Sequence, residues 1–551
     1  MKRQATRGLV TPNLDKNSFD LSNYWTGTTR IGELTPIRWD DVTPNSHWRI
    51  KTNYLVKFAP IIYPFFHKVD AVTYTAFVPY RLMMPKIGST NTDWENWIMG
   101  DPNDNFTNDI LPYLTITDSN KSNFVIGSLG NRLGLPDVGS AATVHANGEI
   151  DINVLPFLCY HLMWDEFLRN PWTQERSCGP DSTWIIPLNG GEHSGVGLTT
   201  LCGTRYCNYD MDYFMGAWPE AYAGSSTDVE LNLDVIGSGS VMSLAKDTDG
   251  LPTAGAVTVT SGRRLQDAGP TNMQFTIGTD IGAESILEMF ELRRAESLVR
   301  FLEAENRSGT EQYDEWLKIM FGNDPNFRYA RPVFLGGGRT TINISEVLST
   351  AETYDYTGND LTTQQTLNPQ GSQVGHALAS SGGETINFTA QEHGMLMTVL
   401  VIKPSLQYGG GQLERFWTKS DRTEFYNYHF ENIGDQAIYN CEFNYIEGSG
   451  GSANMDTWAY STRFEEYKQK QSIVCGDYLK SGLDAWHMAI ITDPSDGGAD
   501  AFSNTLHQIR PGDDQNLRIF ADQSEEFDEI WLNVYNDVQV QLPMKKVAIP
   551  K

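Results

Sequence analysis

The stretch His47–Phe58, HWRIKTNYLVKF, narrows the choice of fold more than any other. Trp48, Ile50, Thr52, Tyr54, Val56 and Phe58 alternate with Arg49, Lys51, Asn53, Leu55 and Lys57. Successive side chains of a strand point to opposite faces, so this period of two reads as a half-buried β-strand with one face on a core. Residues 69–78 read as a second strand that ends at Pro79-Tyr80-Arg81. The strand signal then thins out as far as about Ser380. It returns in 392–404, in 425–430 and 437–445 around Asn432-Ile433-Gly434, and in 530–542, where the alternation suits a closing strand. Two strands early and the rest late describe one β-sandwich whose connections carry long insertions.

The insertions have their own signals. Residues 93–100 are a short helix candidate ending at Gly100, and 152–169 are a stronger one, apolar over much of the circumference and therefore buried. Residues 233–272 are small, polar and Gly-rich, with one short β-like run at 256–260, which is the composition of a surface loop. A helical hairpin is predicted over 285–322. Ser285 and Glu288 form a capping box, Met289, Leu292, Ala295, Val299 and Leu302 recur at helical spacing, and Glu296 pairs with Arg300. Ser308-Gly309 breaks the pattern, Thr310 caps a second helix, and Gly322 with Pro325 beyond it ends that helix. Residues 1–45 read as an extended arm with a basic tip of Lys2, Arg3 and Arg7, in which Pro12, Pro36 and Pro44 discourage regular structure. A frayed terminus and an arm laid along a neighbour or an inner wall, its cations on phosphate, both remain open.

The order of these pieces carries a resemblance. Leu292-Arg293-Arg294-Ala295, Arg307-Ser308-Gly309-Thr310, Arg331-Pro332 with Leu335-Gly336-Gly337, and TINISEVLST over 341–350 follow the central block of the major capsid protein of Microviridae, the small single-stranded-DNA phages, and most of all its gokushovirus-like branch. Ala76-Phe77-Val78-Pro79-Tyr80-Arg81 resembles the family's FxVPxR element. Residues 155–169 are similar to its LPFxxYxxxxxExxR segment, and Asp212-Tyr213-Phe214 to its DYF element. Residues 463–468 and 483–487 resemble its RxxEY…LDAWH element, with Gln471 where that element has proline, and Pro543-Met544-Lys545-Lys546 resembles its terminus. The resemblance implies an eight-stranded viral jelly roll, mainly β, with helix- and loop-containing insertions. Its segments would be an N-terminal arm (1–45), the first strands (46–82), the insertions (83–384) and the remaining strands with a tail (385–551). It also implies a sixty-copy T=1 shell of this chain about two-, three- and fivefold axes, around a circular single-stranded DNA genome. The other implied partners are a small basic DNA-condensing virion peptide, a minor or pilot virion protein and a host surface receptor. Assembly would take place in the cytoplasm of a bacterial host. The 233–272 segment stands where the family carries a threefold protrusion, so Val235, Ser240, Lys246, Asp249, Thr258, Arg263 and Arg264 are candidate host contacts.

Charge bears on the partners. Lys and Arg number 41 against 69 Asp and Glu, a net charge of −28. Phosphate affinity comes mostly from cations, so this is not a free-standing nucleic-acid binder, and an enclosed genome would need its positive charge from elsewhere. With 14 Trp, 24 Tyr and 25 Phe the chain can furnish large cores or interfaces, while 49 Gly and 25 Pro suit a loop-rich β protein. The cysteines at 159, 178, 202, 207, 441 and 475 form no CxxC and no regular framework, and read as free buried thiols of a reducing compartment. Cys202 and Cys207 leave open a local bridge or half a zinc site, though no second ligand pair stands near them in the sequence. MKRQATRGLVTPN has no apolar run of the signal-peptide kind, and no stretch has the length to span a bilayer.

The sequence carries no enzyme motif. The triplets Gly336-Gly337-Gly338 and Gly409-Gly410-Gly411 lack the Lys-Ser/Thr of a P-loop and read as turn or close-packing glycines. Gly237-Ser238-Gly239-Ser240 is no nucleophile elbow, and no His pair has zinc spacing. No cofactor is expected. Asp513-Asp514 and the acidic run 525–529 read as a solvated face, with a divalent cation held between subunits as the alternative. Arg415, Lys419 and Arg422 beside Phe416 and Trp417 suit an inward contact with single-stranded DNA, and equally aromatic packing under snorkelling charges. The rival from another class is an acidic β-sandwich that binds or hydrolyses glycans through aromatic stacking and paired acids.

Overall fold

The computed structural model describes residues 16–84, 94, 111–139, 150–177, 191–192, 198–220, 242–246, 273–277, 331–348, 353–356, 364–368, 373–381, 383–390, 393–431, 434–446, 451–492, 504–524, 527–542 and 544–546. The chain divides into two compact units, Met1–Pro219 with Asn326–Lys551, and Glu220–Pro325. In the first unit the strands that build the sandwich are β1 (Asn17–Asp20), β2 (Asn23–Thr29), β3 (Thr35–Val42), β4 (His47–Phe58), β5 (Val69–Pro79), β6 (Val333–Gly336), β7 (Arg339–Thr341), β8 (Asn343–Leu348), β9 (Gln373–Ser381), β10 (Thr385–Thr389), β11 (Gly394–Pro404) and β12 (Ile530–Leu542).

They form two antiparallel sheets. In the first, β1 and β2 pair with β12, β12 with β4, β4 with both β9 and β10, and β9 with β8. In the second, β6 and β7 pair with β5, β5 with β11, and β11 with β3. The protein is thus mainly β, a jelly roll with long insertions. The alternation of β4 does what the sequence implies. Trp48, Ile50, Tyr54, Val56 and Phe58 are buried, while Arg49, Leu55 and Lys57 are exposed. Across the sandwich, Tyr54 Oη donates to Ala71 O at 3.3 Å and Phe77 packs on Phe388.

The second sheet is covered on both sides, which explains why β11 reads as an unbroken apolar run. Leu396, Leu400 and Ile402 face the first sheet, whereas Met397, Val399 and Val401 join a cluster with Phe157, Leu158 and Trp164 of helix α1 (Leu155–Phe167). Asn153 Oδ1 accepts the Leu155 N–H at 2.9 Å to start that helix. Eight of its thirteen residues are buried, as its all-round apolar sequence demands. Each such large side chain removed from water contributes about 1.5–3 kcal/mol.

The structure departs from the sequence reading in several places. Residues 17–42, read as most of an arm, are three strands, and Ile31, Leu34, Ile37 and Val42 are fully buried. Pro36 is accommodated because β3 is an edge strand and the register against β11 shifts at that point. Strands β6 to β9, inside the stretch read as insertion, belong to the two sandwich sheets. Residues 425–430 are not a strand. They are turns, with 3₁₀ segments at Arg422–Glu424 and Tyr428–Phe430, and Asp435–Tyr439 pairs with Thr457–Thr462 instead. In the second unit, Met242–Lys246 pairs antiparallel with Met273–Ile277, a ribbon inside and beside the segment read as loop. The helical hairpin at 285–322 and the β-like run at 256–260 lie outside the described residues, as does the 93–100 helix except for Trp94. Cys159, Cys202, Cys207 and Cys441 are free and buried, but Cys475 is free and exposed, and Cys178 lies outside the described residues.

Buried histidines give the core a pH dependence. His67 Nε2 meets Ser405 O at 2.6 Å and Nδ1 meets Gln407 at 3.1 Å, and burial pushes the ring down to about 4. Its folded value lies below the unfolded value of about 6.5. The stability it contributes is therefore complete above pH 6.5 and is lost as pH falls towards 4, an effect of about 3 kcal/mol. The raised carboxyls of Asp212, Glu442 and Glu529 act with the opposite sign in acid, so the histidine is best isolated by difference. Urea unfolding of His67→Gln should show a flatter stability profile than the unaltered chain between pH 6.5 and 4. Parallel profiles would contradict this.

Candidate functional site

The segment after β11 builds an aromatic surface. Gly411 to Glu431 contains one short helix followed by short turns, and polar side chains fix the turns. Asp421 Oδ1 accepts the Thr423 N–H at 3.3 Å, and Glu424 Oε2 accepts the N–H groups of Ser420 and Asp421 at 2.7 and 2.9 Å. This is a capping box. Asn427 Oδ1 then accepts the His429 N–H at 3.0 Å, an Asx turn. Turns so closely spaced leave the aromatics between them no sheet to pack on. Trp417 is 71%, Tyr428 68% and Phe416 67% exposed, and Phe425, Tyr426 and Tyr467 are about half exposed or more.

Beneath these rings lies a buried anchor. Arg415 begins the short helix Arg415–Thr418, and its Nη1 donates to Glu442 Oε1 at 2.7 Å and to Ala437 O at 2.6 Å. Tyr213 Oη donates to the other Glu442 oxygen at 2.7 Å, and the guanidinium stands 4.8 Å from the Tyr439 ring. Burial raises the Glu442 carboxyl even though Arg415 pulls it down, while for Arg415 the pull of Glu442 outweighs the lowering by burial. Lys419 ion-pairs with Glu466 at 2.6 Å and sits 4.2 Å from the Tyr467 ring and 5.5 Å from that of Phe425. Lys470 closes on Glu414 at 2.7 Å.

Of the residues marked in the sequence as facing DNA, Arg415 is therefore buried and Lys419 is engaged by Glu466, while Arg422 is exposed. Lys2, Arg3 and Arg7 lie outside the described residues. So do Val235, Ser240, Asp249, Thr258, Arg263 and Arg264 of the host-contact segment. Lys246 ends the strand Met242–Lys246. The sequence reading noticed Phe416 and Trp417 but missed Tyr426, Tyr428 and Tyr467 as surface groups. The signal was there in Asp421, Asn427 and the aromatic density between them.

The acidic run near the C-terminus is not a solvated face where it is described. Asp528 accepts from Arg30 Nε at 2.9 Å and Thr28 Oγ1 at 2.5 Å, and Glu529 is 5% exposed. Burial tends to raise Asp528, but Thr28, Arg132 and Arg30 together hold it low, whereas burial raises Glu529. Arg132 also pairs with Glu33 at 2.6 Å, so the cluster ties β2 and the start of β12 to the turn after Gly127. Asp513 accepts the Arg510 N–H at 3.3 Å, and Asp514 ion-pairs with Arg518 at 3.4 Å, which makes that pair local structure.

The comparison with known families bears on what a jelly roll with an open aromatic surface does. The family described as capsid protein (F protein) matches residues 9–550. The chain belongs to that capsid protein family. Two capsid relatives are similar along most of their length. Capsid protein VP1 of Bdellovibrio phage phiMH2K is 25% identical over 501 residues, covering 86% of this chain and 85% of that one. Capsid protein VP1 of Chlamydia phage 1 is 24% identical over 548 residues, covering 87% of each. This capsid protein is accordingly a component of a bacteriophage virion of the Microviridae type. Both relatives are capsid proteins, and neither favours the glycan-acting alternative.

Proposed function

We propose that this chain is the major shell subunit of its phage, a structural and non-enzymatic protein, and that sixty copies close a T=1 icosahedral shell around a circular single-stranded DNA genome. The observation that carries the reading is the capsid family match across almost the whole chain, insertions included. Closed symmetry lets modest contacts add up, because each subunit is held by several neighbours at once. The net charge of −28 supports a division of labour in which a small basic virion peptide supplies most of the cations that neutralise the genome. Lys2, Arg3 and Arg7 are the residues of this chain best suited to add to it. A minor or pilot protein completes the virion, and the 233–272 segment is the host-contact element.

The test is co-expression with the other virion proteins, followed by sedimentation and negative-stain microscopy. Uniform icosahedral particles that protect circular single-stranded DNA from nuclease are expected. A well-folded chain that stays monomeric in every condition would overturn the reading. Replacing 247–272 by an Asn-Gly turn between the strands Met242–Lys246 and Met273–Ile277 should leave particles intact and abolish adsorption to host cells. Unchanged adsorption would remove the host-contact role.

A further inference from the structure

We infer that the exposed aromatic patch of Phe416, Trp417, Phe425, Tyr426, Tyr428 and Tyr467 is a contact surface for a second copy of this chain; the inference rests on the shell-subunit reading and says where one of its interfaces lies. Phe425, Tyr426 and Tyr467 stand together and Phe416 stands with Trp417, and with Tyr428 they all come from 414–431 and the 463–470 stretch beside it. Lys419 Nζ reaches both Phe425 and Tyr467, Tyr426 stands 6.2 Å from Tyr467, Phe416 lies 5.7 Å from Trp417, and the Glu414–Lys470 pair ties the two stretches of chain together. Tyr, Trp and Phe are the residues enriched at the centres of protein interfaces, where large rigid rings bury area at little entropic cost.

Charge selects the occupant. Copies that each carry −28 repel one another, so their contacts are cheapest where the local charge cancels. Stretches 414–431 and 463–470 hold six cations and six acids, a balance of zero. Four of these cations are also engaged by carboxylates. Arg415 goes to Glu442, Lys419 to Glu466, Lys468 to Glu465 and Lys470 to Glu414. Single-stranded nucleic acid is held by aromatic stacking together with cations that meet phosphate, and here four of the six cations face carboxylates instead. A neutral aromatic surface on a strongly acidic chain fits a second copy better than it fits DNA.

The experiment uses the full chain with its virion partners. Trp417 and Tyr428 are exposed, so Trp417→Ser/Tyr428→Ser should leave the urea midpoint of the free subunit unchanged and raise the concentration needed for particle formation at least tenfold. Particles from the variant at the unaltered concentration, while the unaltered chain also assembles, would overturn the inference and leave the shell-subunit reading standing. An unaltered chain that forms no oligomer would overturn both. Oxidative footprinting of the unaltered protein provides a second test that needs no variant. Trp417, Tyr426 and Tyr428 should be at least fivefold less reactive in particles than in free subunits, in empty shells as well as filled ones. Equal reactivity would overturn the contact, and protection only in filled particles would assign the patch to DNA.

Discussion

Replacing Gly337 by alanine should destabilise the free subunit by about 3 kcal/mol or more, whereas the same change at the next residue should cost less than about 1 kcal/mol. The contrast comes from where the turn between β6 and β7 lies. A Cβ on Gly337 would stand 1.9 Å from Thr73 O and 3.0 Å from the carbon that bears it, inside β5, where the main chain has nowhere to yield. On Gly338 the nearest atom would be Thr73 Oγ1 at 3.5 Å, an ordinary contact. The close approach is held by two hydrogen bonds, Thr73 N–H to Gly338 O at 2.9 Å and Gly338 N–H to Thr73 Oγ1 at 2.9 Å. Alanine at 337 therefore has to break this junction or push β5 away from β11. Urea midpoints of Gly337→Ala and Gly338→Ala measure the difference, and equal midpoints would refute the packing argument. The same geometry explains Gly337 within a triplet that the sequence reads as turn or close-packing glycines and not as a phosphate loop.

What was legible in the sequence follows from how much of a strand's surroundings its own residues report. Strands β4 and β12 have one face on the core and one in water, so their alternation names both their type and their inward residues, and both were placed to the residue. Strand β11 and helix α1 are apolar all round, because each is covered on all sides, and that too is written locally. Strands β6 to β9 were not legible. β6 to β8 are short, all four carry Gly, Ser, Thr or Arg and are partly exposed, and β9 lies between β4 and β8, so only pairing with β5, with β4 and with each other makes them strands. In residues 425–430 the aromatic content favours a strand, yet Asp421, Glu424 and Asn427 win by satisfying backbone N–H groups in turns. The buried charges were illegible for a different reason. Arg132 meets Glu33, and Arg30 meets Asp528, across separations that no local pattern records.

The Arg415–Glu442 pair is where such a hidden contact should have the largest effect. Glu442 is 1% exposed, and Arg415→Met would leave its carboxylate with Tyr213 Oη and the Tyr439 N–H but no cation. Removing one partner of a buried pair typically costs about 3–5 kcal/mol, because the charge left behind keeps its desolvation penalty. The double variant Arg415→Met/Glu442→Gln removes that charge as well and should recover most of the loss. The penalty should also depend on pH. Burial already raises the Glu442 carboxyl, and without Arg415 it rises further, so the single variant gains a proton on folding and its deficit shrinks as pH falls through that raised value. Urea unfolding at pH 7.5 and 5 checks both statements. A single variant within about 1 kcal/mol of the unaltered chain, or a double variant no better than the single, would show that the pair is not the anchor described here. The consequence reaches the surface, since Arg415 begins the helix that carries Phe416 and Trp417. Loosening it frees those rings to reorient, and an interface that depends on rigid aromatics then has to order them on contact. Arg415→Met should therefore weaken particle formation more than its loss of subunit stability alone would do, and the double variant, with the neutral pair still packed, should restore part of it.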